Sequence, residues 1–96
     1  MIEFKQQHIV LKGHIDFANA EQVYLQGLQF IKSQQQFPVV VDLSQLSQGN
    51  TMLLAILVQW LRQMPEPQNL LFKAVPEKML KIIQACHLEH DLQMVA

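Results

Sequence analysis

The stretch "VVVDLSQLSQGNTMLLAILVQWL", residues 39–61, decides the fold class of this chain. It begins inside "FPVVVDL", residues 37–43, a β-branched run that predicts a strand buried on both faces. A polar loop follows at residues 44–50. The nearly all-apolar segment at residues 51–64 then predicts a helix, which the "PEP" of residues 65–67 stops.

On the N-terminal side of this stretch, two strand patterns precede a helix pattern. Apolar and polar residues alternate at period two, which predicts short strands at residues 2–6 and 8–12. From Ala20 to Ile31 the apolar residues recur at the spacing of an amphipathic helix. Asn19 is the predicted N-cap of that helix.

On the C-terminal side, the same alternation of strand and helix continues. Residues 69–75 predict a strand, Pro76 opens a third helix, and residues 92–95 predict a last short strand. The resulting order is β-β-α-β-α-β-α-β. This order predicts an α/β fold with a mixed, mostly parallel sheet of four to five strands, covered by three or four helices.

Length and composition exclude several classes of protein. The chain of 96 residues fits one domain, residues 1–96. Its formal charge of −1 excludes the dense basic face of a nucleic-acid binder. A single cysteine cannot form an internal disulfide and fits a cytoplasmic setting. The N-terminus lacks the layout of a signal peptide, and the longest apolar run, residues 52–58, is too short for direct membrane insertion.

Candidate chemistry is sparse. The four histidines lack a recognised ligand spacing with cysteine partners, so no metal site is predicted. Cys86 lies on the apolar stripe of the third helix and is interpreted as a small core residue. Asp42 ends a buried strand, and with no second carboxylate or glycine-rich phosphate loop near it we interpret it as a loop cap. No nucleophile or acid–base set converges, so we predict no catalytic residue, no cofactor and no enzymatic activity.

The helix predicted at residues 51–64 has an unusual outward face. At 100° per residue its outward side is small, apolar and uncharged near the N-terminal end, and it carries a single arginine. Such a face is typical of a docking surface, unless loops of the same domain cover it. The predicted partner-binding residues are Gln48, Asn50, Thr51, Met52, Ala55, Gln59 and Arg62.

The stretch at residues 39–61 resembles the signature of STAS domains, the fold of anti-sigma-factor antagonists. The shared pattern is a buried strand ending in Asp-Leu/Phe-Ser, a short loop, Asp-Ser/Thr-Gly and an apolar helix. "GHIDFANAEQV" at residues 13–23 and "LLFKAVPEKMLKIIQACHLEH" at residues 70–90 extend the resemblance over essentially the whole chain. Asn50 stands where the family usually has Asp, and Met52 takes the place of a small residue, with Leu53 after it.

The resemblance implies a function. The compact length is similar to that of the solo STAS subunits of Mla-type phospholipid-transport ABC complexes, which bind the cytoplasmic ATPase subunit. It implies a non-enzymatic, STAS-like accessory subunit, peripheral at the inner membrane, that docks on an MlaF-like ATPase. Membrane subunits would belong to the same complex, which maintains outer-membrane lipid asymmetry. The alternative is an anti-sigma-factor antagonist switched by phosphorylation of Thr51, which matches the family's phosphorylatable position.

Thr51 therefore has three candidate roles. As an N-cap its hydroxyl would accept a backbone N–H and stabilise the helix by about 1 kcal/mol. On the outward face it would meet a partner protein, and in the alternative reading it would take a phosphate. The sequence favours the cap combined with the interface.

Overall fold

The computed structural model describes residues 2–47 and 49–95 of the chain. Within these residues the order of elements is the predicted β-β-α-β-α-β-α-β. A 3-10 turn at Pro67–Asn69 follows the second helix, which ends at Arg62, a little before its predicted end. The elements are β1 (Ile2–Lys5), β2 (His8–Gly13), α1 (Ala20–Ser33), β3 (Val39–Leu46), α2 (Thr51–Arg62), β4 (Leu70–Lys73), α3 (Glu77–Ala85) and β5 (Gln93–Val95).

The sheet is mixed, as predicted, and its strands follow the order β1-β2-β3-β4-β5. β1 is antiparallel to β2, and every later neighbour is parallel. Each helix therefore connects a strand to the next parallel strand in the same direction along the sheet. Because such crossovers are right-handed, α1, α2 and α3 all lie on one face. α2 lies in the middle of this layer and packs against both other helices.

The prediction that β3 is covered on both faces is wrong. Val39, Val41 and Leu43 are almost completely buried, whereas Val40 and Asp42 between them are only half-buried. The reason is the one-sided helix layer, which covers alternate residues of β3. The β-branched run indicates a preference for extended backbone, but it does not indicate how many faces of the strand are covered.

Asp42 lies inside β3 and stabilises an irregularity of the sheet. The register between β2 and β3 shifts between the pairs Val10–Asp42 and Lys12–Gln45, so β3 carries an extra residue there. The Ser44 N–H donates to Asp42 Oδ1 at 2.9 Å. The carboxylate thus caps a backbone group at a bulge within the strand, and not in the loop that follows, where the sequence had placed it.

A pH-dependent contribution to stability follows from this hydrogen bond. The Ser44 N–H, aided by the Ser44 side chain and by the nearby charges of Lys73 and His8, lowers the pKa of the Asp42 carboxyl. A lowered folded-state pKa adds stability above the unfolded value of about 3.9, and this stability is lost as the pH falls through the folded pKa. We expect Asp42→Asn to be less stable than the wild type at neutral pH. The difference between the two free energies of unfolding should shrink in acid.

Urea unfolding of both proteins between about pH 7 and pH 3 measures this gap, because only the wild type carries the titrating group at this position. A gap that stays constant or widens in acid would contradict the assignment of the carboxylate to the bulge.

Cys86 is exposed, so its assignment to the core is wrong. α3 ends at Ala85, and Cys86 is the C-cap residue, where the backbone has left the helical path. The helical stripe that predicted its burial is confirmed at Met79 and Ile83, which are buried. The periodicity was extrapolated one residue past the end of the helix.

Candidate docking surface

Helix α2 is capped by Asn50 and not by Thr51. Asn50 has an extended backbone, with φ −156° and ψ 174°, and its Oδ1 accepts the Leu53 N–H at 2.8 Å. Thr51 already belongs to the helix. Asn is at least as good an N-cap as Thr. The Thr51 side chain is exposed, and the cap is formed without its hydroxyl.

The loop before α2 is joined to the loop before α1. Asn50 Nδ2 donates to the Ile15 carbonyl oxygen at 2.7 Å, and the Ser47 N–H donates to the Gly13 carbonyl oxygen at 2.7 Å. Both loops follow the carboxyl ends of neighbouring parallel strands, β2 and β3. One side chain, Asn50, therefore fixes the start of α2 and links it to the neighbouring loop.

The predicted outward face of α2 is largely confirmed as a surface. Thr51, Ala55, Gln59 and Arg62 are exposed and follow one another along the helix. Val58 lies next to Thr51 on the helical wheel, at the margin of this face, and is half-buried. We call this set of five residues the α2 stripe. Gln48, which was also predicted to bind a partner, lies outside the described residues.

Met52 lies in the wall of a groove between α1 and α2. The groove has a volume of about 330 Å³ and is lined mostly by apolar atoms. Ile56 of α2 also lines this groove and is buried. The sequence did not predict that α1 forms one wall of the groove, because the apolar pattern of a helix does not indicate which other helix packs beside it. The lining residues are Ala20, Glu21, Tyr24, Met52, Ala55, Ile56 and Gln59.

Electrostatics are weak over this region. Of the described residues that line the groove, Glu21 alone is charged. The first turn of α2, which is fully described, has no acidic residue, and Arg62 lies in the last turn. A partner of the α2 stripe would therefore be recognised mainly by apolar contact and shape, with the one cation at the far end.

The described part of the chain offers neither a cluster of metal ligands nor a membrane-spanning helix. Residues 2–47 and 49–95 contain no group of three or more His, Cys, Asp or Glu side chains placed to hold a metal ion. Among the same residues, no helix combines the length and the apolar character that crossing a bilayer requires.

The outward stripe, the capped helix start and the joined loops occupy the positions where the sequence resembles STAS domains. The family model described as "Mlab, STAS domain" matches residues 2–96. The chain belongs to this family. The resemblance drawn from residues 39–61 is thus confirmed, and the departures at Asn50 and Met52 are compatible with membership.

The chain is also similar to chains of solved structures. A chain of the Acinetobacter MlaFEDB complex in its ATP-bound Vtrans1 conformation is 59% identical, with a TM-score of 0.91, over 99% of this chain and 100% of that chain. The Vtrans2 conformation of the ATP-bound complex has a chain with the same identity and TM-score, over 99% of each chain. The comparison with curated proteins returned no match.

Proposed function

We propose that this STAS domain, as a single domain of residues 1–96, is a non-enzymatic accessory subunit of an Mla-type phospholipid-transport ABC complex. The observation that carries the proposal is the 59% identity, over 99% of the chain, to a chain of the ATP-bound MlaFEDB complex. In this role the domain docks on the cytoplasmic ATPase subunit and is held at the inner membrane through that partner. It supports the assembly and activity of a transporter that maintains outer-membrane lipid asymmetry.

The proposed docking face is the α2 stripe together with the groove between α1 and α2. The exposed stripe is small and uncharged as far as Arg62, and the groove beside it is apolar. An apolar centre with a charge at its rim is the usual composition of a protein–protein interface. Asn50 contributes by fixing the start of α2, since both ends of its amide are bonded within the domain.

The second candidate function is the phosphorylation-switched antagonist. The observation that favours it is the exposed Thr51 side chain, which a kinase could reach because Asn50 performs the capping. The bulky Met52 side chain argues against this function, because it narrows the access of a kinase to the Thr51 hydroxyl. Neither matched solved structure is described as a complex with a kinase.

The experiment that separates the two is affinity purification of the tagged chain from its native host at endogenous expression. We expect an ABC-type ATPase to co-purify together with its membrane subunits. Recovery of a small kinase in their place would support the antagonist and contradict the accessory subunit. A strain that expresses the tag alone is the control for carry-over.

A further inference from the structure

Phe17 is displayed to solvent in an unusual way. Its side chain lies in the loop between β2 and α1 and is 91% exposed, far more than any other large hydrophobic residue in residues 2–47 and 49–95. Burying a phenylalanine side chain is favourable because it removes a large apolar surface from water. The isolated domain leaves this free energy unused, so it remains available for binding.

The loop that carries Phe17 is held in place by hydrogen bonds between the residues that precede and follow Phe17 in the chain. The Asp16 N–H donates to Asn19 Oδ1 at 3.0 Å, and Asp16 Oδ1 accepts the Ala18 N–H at 2.9 Å. Asn19 Nδ2 donates to the His14 carbonyl oxygen at 3.2 Å. Because these bonds already order the backbone of the loop, binding through Phe17 costs little additional backbone entropy.

The same loop is continuous with the proposed docking face. Asn50, the N-cap of α2, donates to the Ile15 carbonyl oxygen two positions before Phe17. On its other side the loop enters α1 at Ala20, which lines the apolar groove with Ala55 of the α2 stripe. Phe17 and Thr51 therefore belong to one hydrogen-bonded edge of the domain.

We propose that Phe17 is the hydrophobic anchor of the docking face and that its ring enters an apolar pocket on the ATPase subunit. The inference rests on the proposed function. Aromatic side chains are enriched in the buried centres of interfaces, and a few such side chains supply most of the binding energy in many of them. We assign the ATPase subunit as the partner of Phe17 because the ring lies at the same edge of the domain as the start of the α2 stripe.

The test uses purified ATPase subunit and the full chain, with binding measured by titration calorimetry. Phe17→Ser should weaken binding by at least about 30-fold, as for other anchor residues, and Phe17→Leu should weaken it less. Phe37→Ser is the matched control, since Phe37 is an exposed phenylalanine just before the amino end of β3. That end of the strand is opposite the loop that carries Phe17, so this variant should bind within about 2-fold of the wild type.

The outcomes separate the two proposals. If wild-type protein binds and Phe17→Ser binds equally well, the anchor is refuted while the accessory role stands. If wild-type protein does not bind the ATPase, the proposed function itself fails. Thermal melting accompanies each titration, and a lowered melting temperature for Phe17→Ser would assign the ring to the fold. A wild-type dimer that Phe17→Ser converts to a monomer, with unchanged ATPase binding, would assign the ring to a second copy of the chain.

Discussion

Gly27→Ala is expected to destabilise the domain by about 3 kcal/mol, the cost of a strongly overpacked core. The sign is unusual, because Ala in place of Gly inside a helix normally stabilises by about 1 kcal/mol. A Cβ at Gly27 would lie 2.1 Å from a carbon of the Trp60 ring, with two further ring carbons within 2.8 Å. The Trp60 ring cannot easily move away from the added methyl group, because it is fully buried and its Nε1–H donates to the Tyr24 carbonyl oxygen at 3.0 Å.

Thermal unfolding measures this effect, and a fall in melting temperature of roughly 15 °C is expected for a domain of this size. The control is the same substitution in a Trp60→Phe background. The smaller ring lacks the carbons that approach Gly27, so the added methyl group should cost less than about 1 kcal/mol there. A Gly27→Ala protein as stable as the wild type would refute the close approach of α1 to α2.

Thr51→Glu is expected to abolish binding to the ATPase while leaving the fold intact. In an interface the carboxylate would be desolvated without a partner, at a cost of several kcal/mol. In the isolated domain the same charge lies in the first turn of α2, which holds no acidic residue, and the helix dipole favours it by roughly 0.3–1 kcal/mol. The two effects have opposite signs, so melting and co-purification with the ATPase together identify the docking face.

Two variants serve as controls for this experiment. Thr51→Ala should change the free energy of unfolding by less than about 0.5 kcal/mol, because Asn50 caps the helix. Gln35→Glu adds the same charge at an exposed position between α1 and β3, near the opposite end of the sheet, and should bind normally. Normal co-purification of a folded Thr51→Glu protein would remove Thr51 from the docking face.

Much of the α2 stripe could be predicted from the sequence, because a 100° rotation per residue places Thr51, Ala55 and Arg62 on one side of any regular helix. The neighbouring groove could not be predicted. It exists because α1 packs beside α2, and its α1 wall comes from Ala20 and Tyr24, which are distant in the chain. Phe17 was present in the quoted motif, but exposure of an apolar residue within a loop has no signal in periodicity.

The N-cap of α2 is a second feature for which the local sequence is not sufficient and the tertiary structure decides. Both Asn50 and Thr51 are residue types that cap helices, although the sequence was interpreted with Thr51 alone as the cap. The choice falls on Asn50 because its amide also reaches the Ile15 carbonyl oxygen, a contact between loops that are remote in sequence. Local chemistry offered two candidates, and a long-range hydrogen bond selected one.

The sequence by itself determined which segments are strands and which are helices, because period two, period 3.6 and the proline positions are local properties of the chain. It also determined the family, since the STAS pattern extends along residues 2–96. Only the tertiary structure decided that α1, α2 and α3 lie on one face of the sheet, that Gly27 must lack a side chain beside Trp60, and that two loops are bonded into one edge. Each of these depends on atoms that are brought together by packing and are far apart along the chain.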